Sequence, residues 1–234
     1  MTKHNLEWFS SVWHINTVNP WLSKYNVKTH DVVEGHVCPY PEELVFRLVT
    51  LFSKKGDYVL DPFCGSGTTN YAALSLFRKT IGYDIEKRYI NIAKERCNNR
   101  GRFICGSSTD MEECYSNSIQ LCVTSPPYLS LKKYSDNPDS IGNAKDPYKL
   151  LKEVFEEVYR VLKKGGYFCM NVGGVPDGHG GMTTFPHDMI YMCLDMGFKF
   201  KHTIVWDKGV FLNDWNIHQC RMRENHEFVW VFEK

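Results

Sequence analysis

Apolar residues along the chain follow two alternating patterns, which predict strands and helices in turn. Short apolar runs bounded by glycine, proline or polar residues are typical of buried strands. Such runs lie at residues 58–61, 79–85, 102–106, 118–124, 167–174, 200–208 and 226–234. Between them, apolar positions spaced three or four residues apart predict helices. These helical stretches cover residues 41–53, 64–77 (opening with a glycine-rich turn), 86–99, 146–166 and 183–197.

The order of these elements predicts the fold class. A strand is followed by a helix through most of the chain, and the last two strands follow each other directly. Alternation of this kind favours an open, mostly parallel sheet with helices on both faces, closed by an antiparallel strand pair. We therefore expect a single α/β domain over residues 1–234, with a seven-stranded sheet and an irregular N-terminal segment at residues 1–35.

Composition narrows the functional classes. The formal net charge of +1 excludes a basic field over the whole molecule, so any phosphate-binding surface must be a local patch. The nine cysteines include no Cys-x-x-Cys pair, which favours buried thiols in a reducing compartment over a structural zinc site. No apolar run reaches the roughly 18 residues of a membrane span, and the first residues lack a signal-peptide core. We expect a cytoplasmic protein with no metal and no membrane partner.

The strongest local motif runs from Asp61 to Thr69 and reads Asp-Pro-Phe-Cys-Gly-Ser-Gly-Thr-Thr. A strand precedes it and a helix follows it, and Gly65 and Gly67 allow backbone to approach a ligand closely. Asp61 at the strand end would repel a phosphate but suits the ammonium group of an amino acid. Asp84 ends the next strand, where a carboxylate can accept both hydroxyls of a ribose. The two acids together indicate a nucleoside with an amino-acid tail, S-adenosylmethionine; the alternative is an ordinary glycine turn.

A second motif, Thr124-Ser125-Pro126-Pro127-Tyr128, ends the fourth predicted strand. The two prolines restrict the backbone and remove two N–H donors, so nearby carbonyl groups can point into a site. The Ser125 hydroxyl and the carbonyls around Pro126 can accept the protons of an exocyclic amine and orient its lone pair toward a methyl donor. Tyr128 can stack on the face of a base. These features predict methyl transfer to the amino group of a base that has left its duplex.

Both motifs resemble those of the DNA amino-methyltransferases that carry a Ser-Pro-Pro-Tyr sequence. The likeness extends to residues 36–49, just before the cofactor turn, and to residues 12–15, 204–209 and 225–232. It implies a Rossmann-like methyltransferase that uses S-adenosylmethionine and releases S-adenosylhomocysteine. Serine before Pro-Pro-Tyr favours cytosine N4 in DNA over adenine N6. Methylation of cytidine N4 in RNA, and a non-catalytic subunit that binds nucleic acid, are the other interpretations.

The resemblance and the two motifs give a set of expected cofactor-binding residues. They are Tyr40, Pro41, Asp61, Pro62, Phe63, Cys64, Gly65, Gly67, Thr68, Thr69, Asp84, Ile85, Ser107 and Ser108. The expected catalytic residues are Ser125, Pro126, Pro127 and Tyr128.

Two departures from the family pattern stand out. The cofactor motif precedes the catalytic motif here, whereas the commonest Ser-Pro-Pro-Tyr enzymes have the reverse order, so the chain looks like a circular permutant without a large target-recognition domain. Family members also often carry an acid for the adenine amino group near the position where this chain has Ser107. Ser107, Ser108 or Asp110 could take the place of that acid.

Contacts to nucleic acid are therefore expected from loops at the carboxyl edge of the sheet. The candidates are residues 129–146 and 207–224, which are rich in basic and aromatic side chains. Their basic members are expected to contact phosphates. These are Lys132, Lys133, Lys208, Arg221 and Arg223. DNA is the expected partner, with RNA as the alternative, and a second copy or a partner subunit could complete the grip.

Overall fold

The computed structural model describes residues 7–15, 41–128, 137, 140–175, 179, 181–209 and 225–234 of the chain. These residues form eight strands and five α-helices, with a short 3-10 helix at Ile141–Asn143. The strands are β1 (Val12–His14), β2 (Tyr58–Asp61), β3 (Lys79–Asp84), β4 (Arg102–Cys105), β5 (Ile119–Thr124), β6 (Leu162–Gly173), β7 (Lys199–Asp207) and β8 (His226–Glu233). The helices are α1 (Glu42–Phe52), α2 (Thr68–Ser75), α3 (Lys87–Arg96), α4 (Pro147–Val161) and α5 (Phe185–Asp195). None of these helices is both long and apolar enough to cross a membrane.

All eight strands belong to one sheet, in the order β1-β7-β8-β6-β5-β2-β3-β4. Only β8 runs antiparallel to its neighbours, β6 and β7, and the other pairs are parallel. The predicted parallel α/β sheet with a terminal antiparallel pair is therefore confirmed. The carboxyl ends of the seven parallel strands meet at one edge, and both predicted motifs lie there.

The sheet has one strand more than predicted. Strand β1 lies inside the stretch predicted to be irregular, and it pairs in parallel with β7 from Val12 opposite Val205. Its central residue, Trp13, is 1% exposed and packs into the core. A strand of three residues is too short for an alternating pattern to be recognised. The large apolar side chain of Trp13 was the only local sign of it in the sequence.

Two apolar layers cover opposite faces of the sheet. One contains the inner faces of α4 and α5, packed on strand residues such as Leu60 and Phe168. The other contains α1 and α2, packed on residues such as Val59 and Val123. Helices on both faces are what the chain order predicts, because each crossover between parallel strands returns over one face.

The end of α4 differs from the prediction. The sequence pattern continues the helix through Lys164 to a glycine cap, but α4 ends at Val161 and β6 begins at Leu162. The pairing register of β5 with β6 shifts between Leu162 and Tyr167. Within this irregularity Gly165 has φ +74° and donates its N–H to the Lys234 carbonyl. The glycine pair thus forms a bulge in a strand, not a helix cap.

The seven cysteines among the described residues are free thiols, and all except Cys105 are buried. Burial raises the pKa of the Cys122 and Cys169 thiols, so they are uncharged core residues. This agrees with the interpretation of the cysteines as buried thiols.

Candidate active site

The two predicted motifs lie side by side at the carboxyl edge of the sheet. Asp61 is the last residue of β2 and Thr124 is the last residue of β5. The two strands are parallel neighbours, and Val59 pairs with Leu121. The Thr124 hydroxyl donates to Asp61 Oδ1 at 2.7 Å. Residues 63 positions apart in the chain therefore join the glycine-rich turn directly to the Ser-Pro-Pro-Tyr turn.

The glycine-rich turn is held between β3 and α3. The Asp61 carboxylate, 1% exposed, also accepts the Phe63 N–H at 3.0 Å. Cys64 donates its N–H to the Tyr83 carbonyl at 2.8 Å, which ties the turn to β3. Gly67 has φ +80°, and a Cβ there would lie 2.9 Å from the Ala93 Cβ of α3. Glycine is required at this position both for the conformation and for the close packing of α3.

The turn leads directly into α2, whose first residue is Thr68. The first backbone N–H groups of a helix have no acceptor within the helix, so they are available to a ligand. Thr69, which is fully buried, donates its hydroxyl to the Val123 carbonyl of β5 at 3.3 Å. The start of α2 is thus also attached to the strand that carries the catalytic motif.

Asp84 lies at the end of β3, beside the turn. Its Oδ2 accepts the Gly65 N–H at 2.9 Å and its Oδ1 accepts the Glu86 N–H at 2.8 Å. Each carboxylate oxygen has a second lone pair, so the group can still accept two hydroxyls. Burial raises the pKa of Asp84 to about 6; the two N–H groups oppose this rise, and the nearby Asp61 carboxylate adds to it.

The predicted adenine-side residues lie next to Asp84. Gly106 donates its N–H to the Asp84 carbonyl at 3.0 Å, which places the segment after β4 beside the end of β3. Ser107 is exposed and its hydroxyl contacts that of Thr109 at 2.9 Å, whereas Ser108 is 5% exposed. Ile85 is half-buried.

The remaining expected cofactor residues are distributed around the turn. Phe63 packs against the core on the α4–α5 face, and Pro41 is the buried residue that precedes α1. Pro62 follows Asp61 in the turn and is buried. Tyr40 lies outside the described residues.

The Ser-Pro-Pro-Tyr turn, which carries the expected catalytic residues, is fixed at both ends. Pro126 is buried, and Ser125 and Pro127 are half-buried. The Tyr128 hydroxyl accepts the Gly173 N–H at the end of β6 at 2.9 Å. The Tyr128 ring packs edge to face on Phe185 of α5, with centroids 5.7 Å apart. The turn therefore bridges β5, β6 and α5, and Tyr128 is ordered before any substrate binds.

Most of the expected nucleic-acid contacts lie outside the described residues, namely Lys132, Lys133, Arg221 and Arg223. Lys208 is described, and its ammonium group forms an ion pair with Glu227 and lies 4.8 Å from the centroid of the Trp206 ring. Its role toward phosphate stays a prediction.

Arg96 of α3 is a site residue that the sequence analysis missed. Its guanidinium, which has a side-chain exposure of 0%, donates to the Thr68 hydroxyl at 3.0 Å and to the Ser66 carbonyl at 3.4 Å. It also pairs with Glu42 in the first turn of α1 at 2.5 Å. One buried side chain thus joins the glycine-rich turn to the helix that follows Pro41. In sequence it appeared only as a basic residue in the last turn of a helix, which carries no signal for this role.

Solved structures with the same fold are known. The fold matches a SAM-dependent methyltransferase from Methanosarcina mazei with a TM-score of 0.56 and 17% identity, covering 80% of this chain and 96% of that one. It matches a TehB-like SAM-dependent methyltransferase from Corynebacterium glutamicum with a TM-score of 0.54 and 17% identity, covering 81% of this chain and 86% of that one. At this identity the likeness concerns the fold, which is that of the SAM-dependent methyltransferases.

Family membership follows from the sequence. A DNA methylase family model for N6 and N4 methyltransferases matches residues 2–95 and 119–234. The chain belongs to this DNA methylase family. Both motifs lie within the matched residues. The fold and the family support S-adenosylmethionine as the cofactor.

Curated relatives match over shorter stretches. The type II methyltransferase M.MjaI of Methanocaldococcus jannaschii is 42% identical over 89 residues, which is 38% of this chain and 27% of the relative. M2.LlaDCHI of Lactococcus lactis subsp. cremoris is 42% identical over 78 residues, 33% of this chain and 29% of the relative. M.HpaI of Haemophilus parainfluenzae is 44% identical over 87 residues, 37% of this chain and 25% of the relative. The matched segment thus spans less than a third of each of these relatives.

Proposed function

We propose that this protein transfers a methyl group from S-adenosylmethionine to the exocyclic N4 amine of cytosine in DNA. The observation that carries the proposal is the hydrogen bond between Thr124 and Asp61, because it places the Ser-Pro-Pro-Tyr turn against the glycine-rich turn. Membership of the DNA methylase family and the serine at position 125 support the choice of substrate. The type II methyltransferases among its relatives suggest a role in restriction–modification.

The residues around the glycine-rich turn fit the proposed cofactor. The buried Asp61 carboxylate offers a negative charge to the methionine ammonium group, and the glycine backbone and the start of α2 leave room and N–H groups for the carboxylate. Asp84 retains lone pairs for the ribose hydroxyls. S-adenosylmethionine, when bound, supplies an electrophilic methyl group on sulfur.

The chain's own contribution to the reaction is to place and orient the amine. The Ser125 hydroxyl and the carbonyls of the Pro126 turn accept its N–H groups, and this directs the nitrogen lone pair toward the methyl donor. The Tyr128 ring, ordered by Gly173 and Phe185, lies beside the turn where a base can stack. Correct alignment of two reactants accounts for most of the rate in such a transfer. The amine becomes more acidic as it gains the methyl group, so its proton can leave without a strong base.

Cofactor binding should depend on pH through Asp84. The carboxylate must be ionised to accept two hydroxyls, and its pKa of about 6 in the free protein means that protonation competes with binding below that pH. We expect the affinity for S-adenosylmethionine to be constant above about pH 7 and to fall by up to about tenfold per pH unit below about pH 6. Calorimetric titration from about pH 5 to pH 8 measures this directly.

The variant Asp84→Asn serves as the internal comparison for this prediction. It should bind the cofactor weakly at every pH, because an amide cannot accept both hydroxyls, and it should lose the dependence on pH. Asp195→Asn, at an exposed position at the end of α5, should keep the wild-type profile. An affinity of the wild-type protein that is equal at both ends of the pH range would remove Asp84 from the ribose site.

The reaction product identifies the substrate. Purified protein is incubated with methyl-labelled S-adenosylmethionine and either unmodified plasmid DNA or structured RNA, and each nucleic acid is digested to nucleosides for mass spectrometry. We expect labelled N4-methyldeoxycytidine from DNA. Labelled N6-methyldeoxyadenosine would overturn the cytosine assignment, and label in RNA alone would overturn DNA as the substrate. Absence of label with every substrate, in protein that binds the cofactor, would favour a non-catalytic subunit.

A further inference from the structure

A polar cluster with one buried and two half-buried side chains lies beside the Ser-Pro-Pro-Tyr turn, at the site edge of β6, β7 and β8. It consists of Asn171, Glu227 and Lys208, called here the Asn171 cluster. Asn171 Nδ2 donates to Glu227 Oε2 at 2.6 Å, and the Lys208 ammonium group pairs with the other carboxylate oxygen. Asn171 is 4% exposed, so the hydrogen bond is shielded from water.

Strand pairing places the Asn171 cluster next to both ends of the Ser-Pro-Pro-Tyr turn. Thr124 and Met170 are partners in the parallel pairing of β5 and β6, so the next residues, Ser125 and Asn171, are neighbours at the edge of the sheet. Adjacent strands lie about 4.8 Å apart, within side-chain reach. At the other end of the turn, Tyr128 accepts the N–H of Gly173, which is the pairing partner of Glu227.

Gly173 leaves the space that Glu227 occupies. A Cβ at Gly173 would lie 3.0 Å from the Glu227 Cγ and 3.3 Å from its Oε1. The carboxylate therefore packs on the backbone that orders Tyr128, and the same carboxylate orients Asn171 beside Ser125.

The orientation of the Asn171 amide follows from its partner. A carboxylate only accepts hydrogen bonds, so the amide nitrogen must face Glu227 and the amide oxygen must face away from it. Asn171 Oδ1 is buried and has no hydrogen-bond partner within the described part of the chain. Buried acceptors without a partner are rare in native proteins, and they often mark a functional site.

We propose that Asn171 determines specificity for an exocyclic amine: its Oδ1 accepts one N–H of the substrate amine, and Glu227, paired with Lys208, is a positioning residue that holds the amide in this orientation. The inference rests on the proposed function. An amine donates to this oxygen, whereas the carbonyl that thymine or guanine has at the equivalent ring position would be repelled by it. As the nitrogen gains the methyl group it becomes positively charged, so its N–H is a stronger donor and the contact tightens in the transition state.

The test compares the kcat of single and paired variants for methyl transfer to the base in DNA that the wild-type protein modifies. Asn171→Leu removes the acceptor, and we expect kcat to fall by about 10- to 100-fold with little change in cofactor affinity. N171D places two carboxylates together. E227Q replaces the carboxylate, which only accepts, by an amide that can also donate, so the orientation of the Asn171 amide is no longer fixed. Each variant should therefore also lower kcat. The exchanged pair N171D/E227Q again has one carboxylate and one amide, and it should recover at least about tenfold in kcat over N171D.

A second pair separates chemistry from stability. N171L/E227M replaces the hydrogen-bonded pair by apolar side chains, so it should recover the melting temperature lost in N171L while kcat stays low. If Asn171 only stabilises the fold, both pairs should recover kcat together with stability. Glu233→Gln is the matched control, because Glu233 lies in the same strand as Glu227 but at its other end, away from the site edge. Its carboxylate pairs with Lys201 at 3.1 Å. It should leave kcat unchanged.

The outcomes distinguish the two proposals. Wild-type kcat in N171L, or full recovery of kcat in N171L/E227M, would overturn the role of Asn171 while the proposed function stands. A wild-type protein that methylates no base would overturn the proposed function and this inference with it.

Discussion

Replacement of Asp61 by alanine should reduce the affinity for S-adenosylmethionine by at least about 100-fold and abolish methyl transfer. The carboxylate is buried, and it accepts both the Phe63 N–H and the Thr124 hydroxyl. Its loss leaves two buried donors without this partner, at about 1–3 kcal/mol each, and removes the charge proposed to bind the methionine ammonium group. Calorimetry with the cofactor and a thermal melt measure the two effects separately.

Two conservative variants divide these roles of Asp61. Asp61→Asn keeps an oxygen for Phe63 and Thr124 but removes the charge, so it should fold normally and still bind the cofactor poorly. Thr124→Val removes the link to the catalytic turn and leaves the charge, so its cofactor affinity should be closer to wild type. Wild-type affinity in Asp61→Asn would show that the charge at this strand end is not used.

The site residues that could be predicted from the sequence are those marked by a pattern in the residues next to them. Asp61 and Asp84 each follow a short apolar run, and in a parallel sheet such positions meet at one edge. The Ser-Pro-Pro-Tyr turn has the same signal, because it directly follows an apolar run. The alternation of strands and helices was equally local, and the fold class could be predicted for that reason.

Residues whose partners are distant in sequence could not be predicted. Arg96 joins Thr68 and Glu42, which are 28 and 54 positions away, and the helical pattern shows only that it is charged. Asn171 and Glu227 are 56 positions apart, and each reads as a polar residue near the end of an apolar strand. Such contacts depend on the register of the sheet, and periodicity does not determine register between strands that are far apart in the chain.

Order in the catalytic turn before substrate binds is a further property that only the structure shows. The sequence predicts that Pro126 and Pro127 stiffen the backbone. It does not indicate that the Tyr128 hydroxyl is bound by Gly173, 45 positions later, or that its ring packs on Phe185. A preordered aromatic ring loses little conformational entropy when a base stacks on it, so its contribution to base binding is retained almost in full.

Replacement of Tyr128 by alanine should lower kcat by about 100- to 1000-fold, because it removes a stacking surface worth about 1–3 kcal/mol together with the anchor of the turn on β6 and α5. Cofactor affinity should change by no more than about twofold, since Asp61 and Asp84 keep all their contacts. Steady-state methylation of DNA gives kcat, and calorimetry with S-adenosylmethionine gives the affinity. Tyr115→Ala, at a tyrosine that is 84% exposed, is the control and should leave both quantities unchanged.

Tyr128→Phe then separates the ring from the hydroxyl. It retains the stacking surface and the contact with Phe185 but leaves the Gly173 N–H without its acceptor, so we expect a loss of about tenfold in kcat, smaller than that of alanine. Equal losses in the two variants would mean that the hydroxyl anchor alone matters and that no base stacks on the ring. Wild-type turnover in Tyr128→Ala would exclude this residue from the reaction. Loss of turnover with retained cofactor affinity is what the proposed site predicts, because the residues proposed for the cofactor follow β2 and β3 and those proposed for the base follow β5.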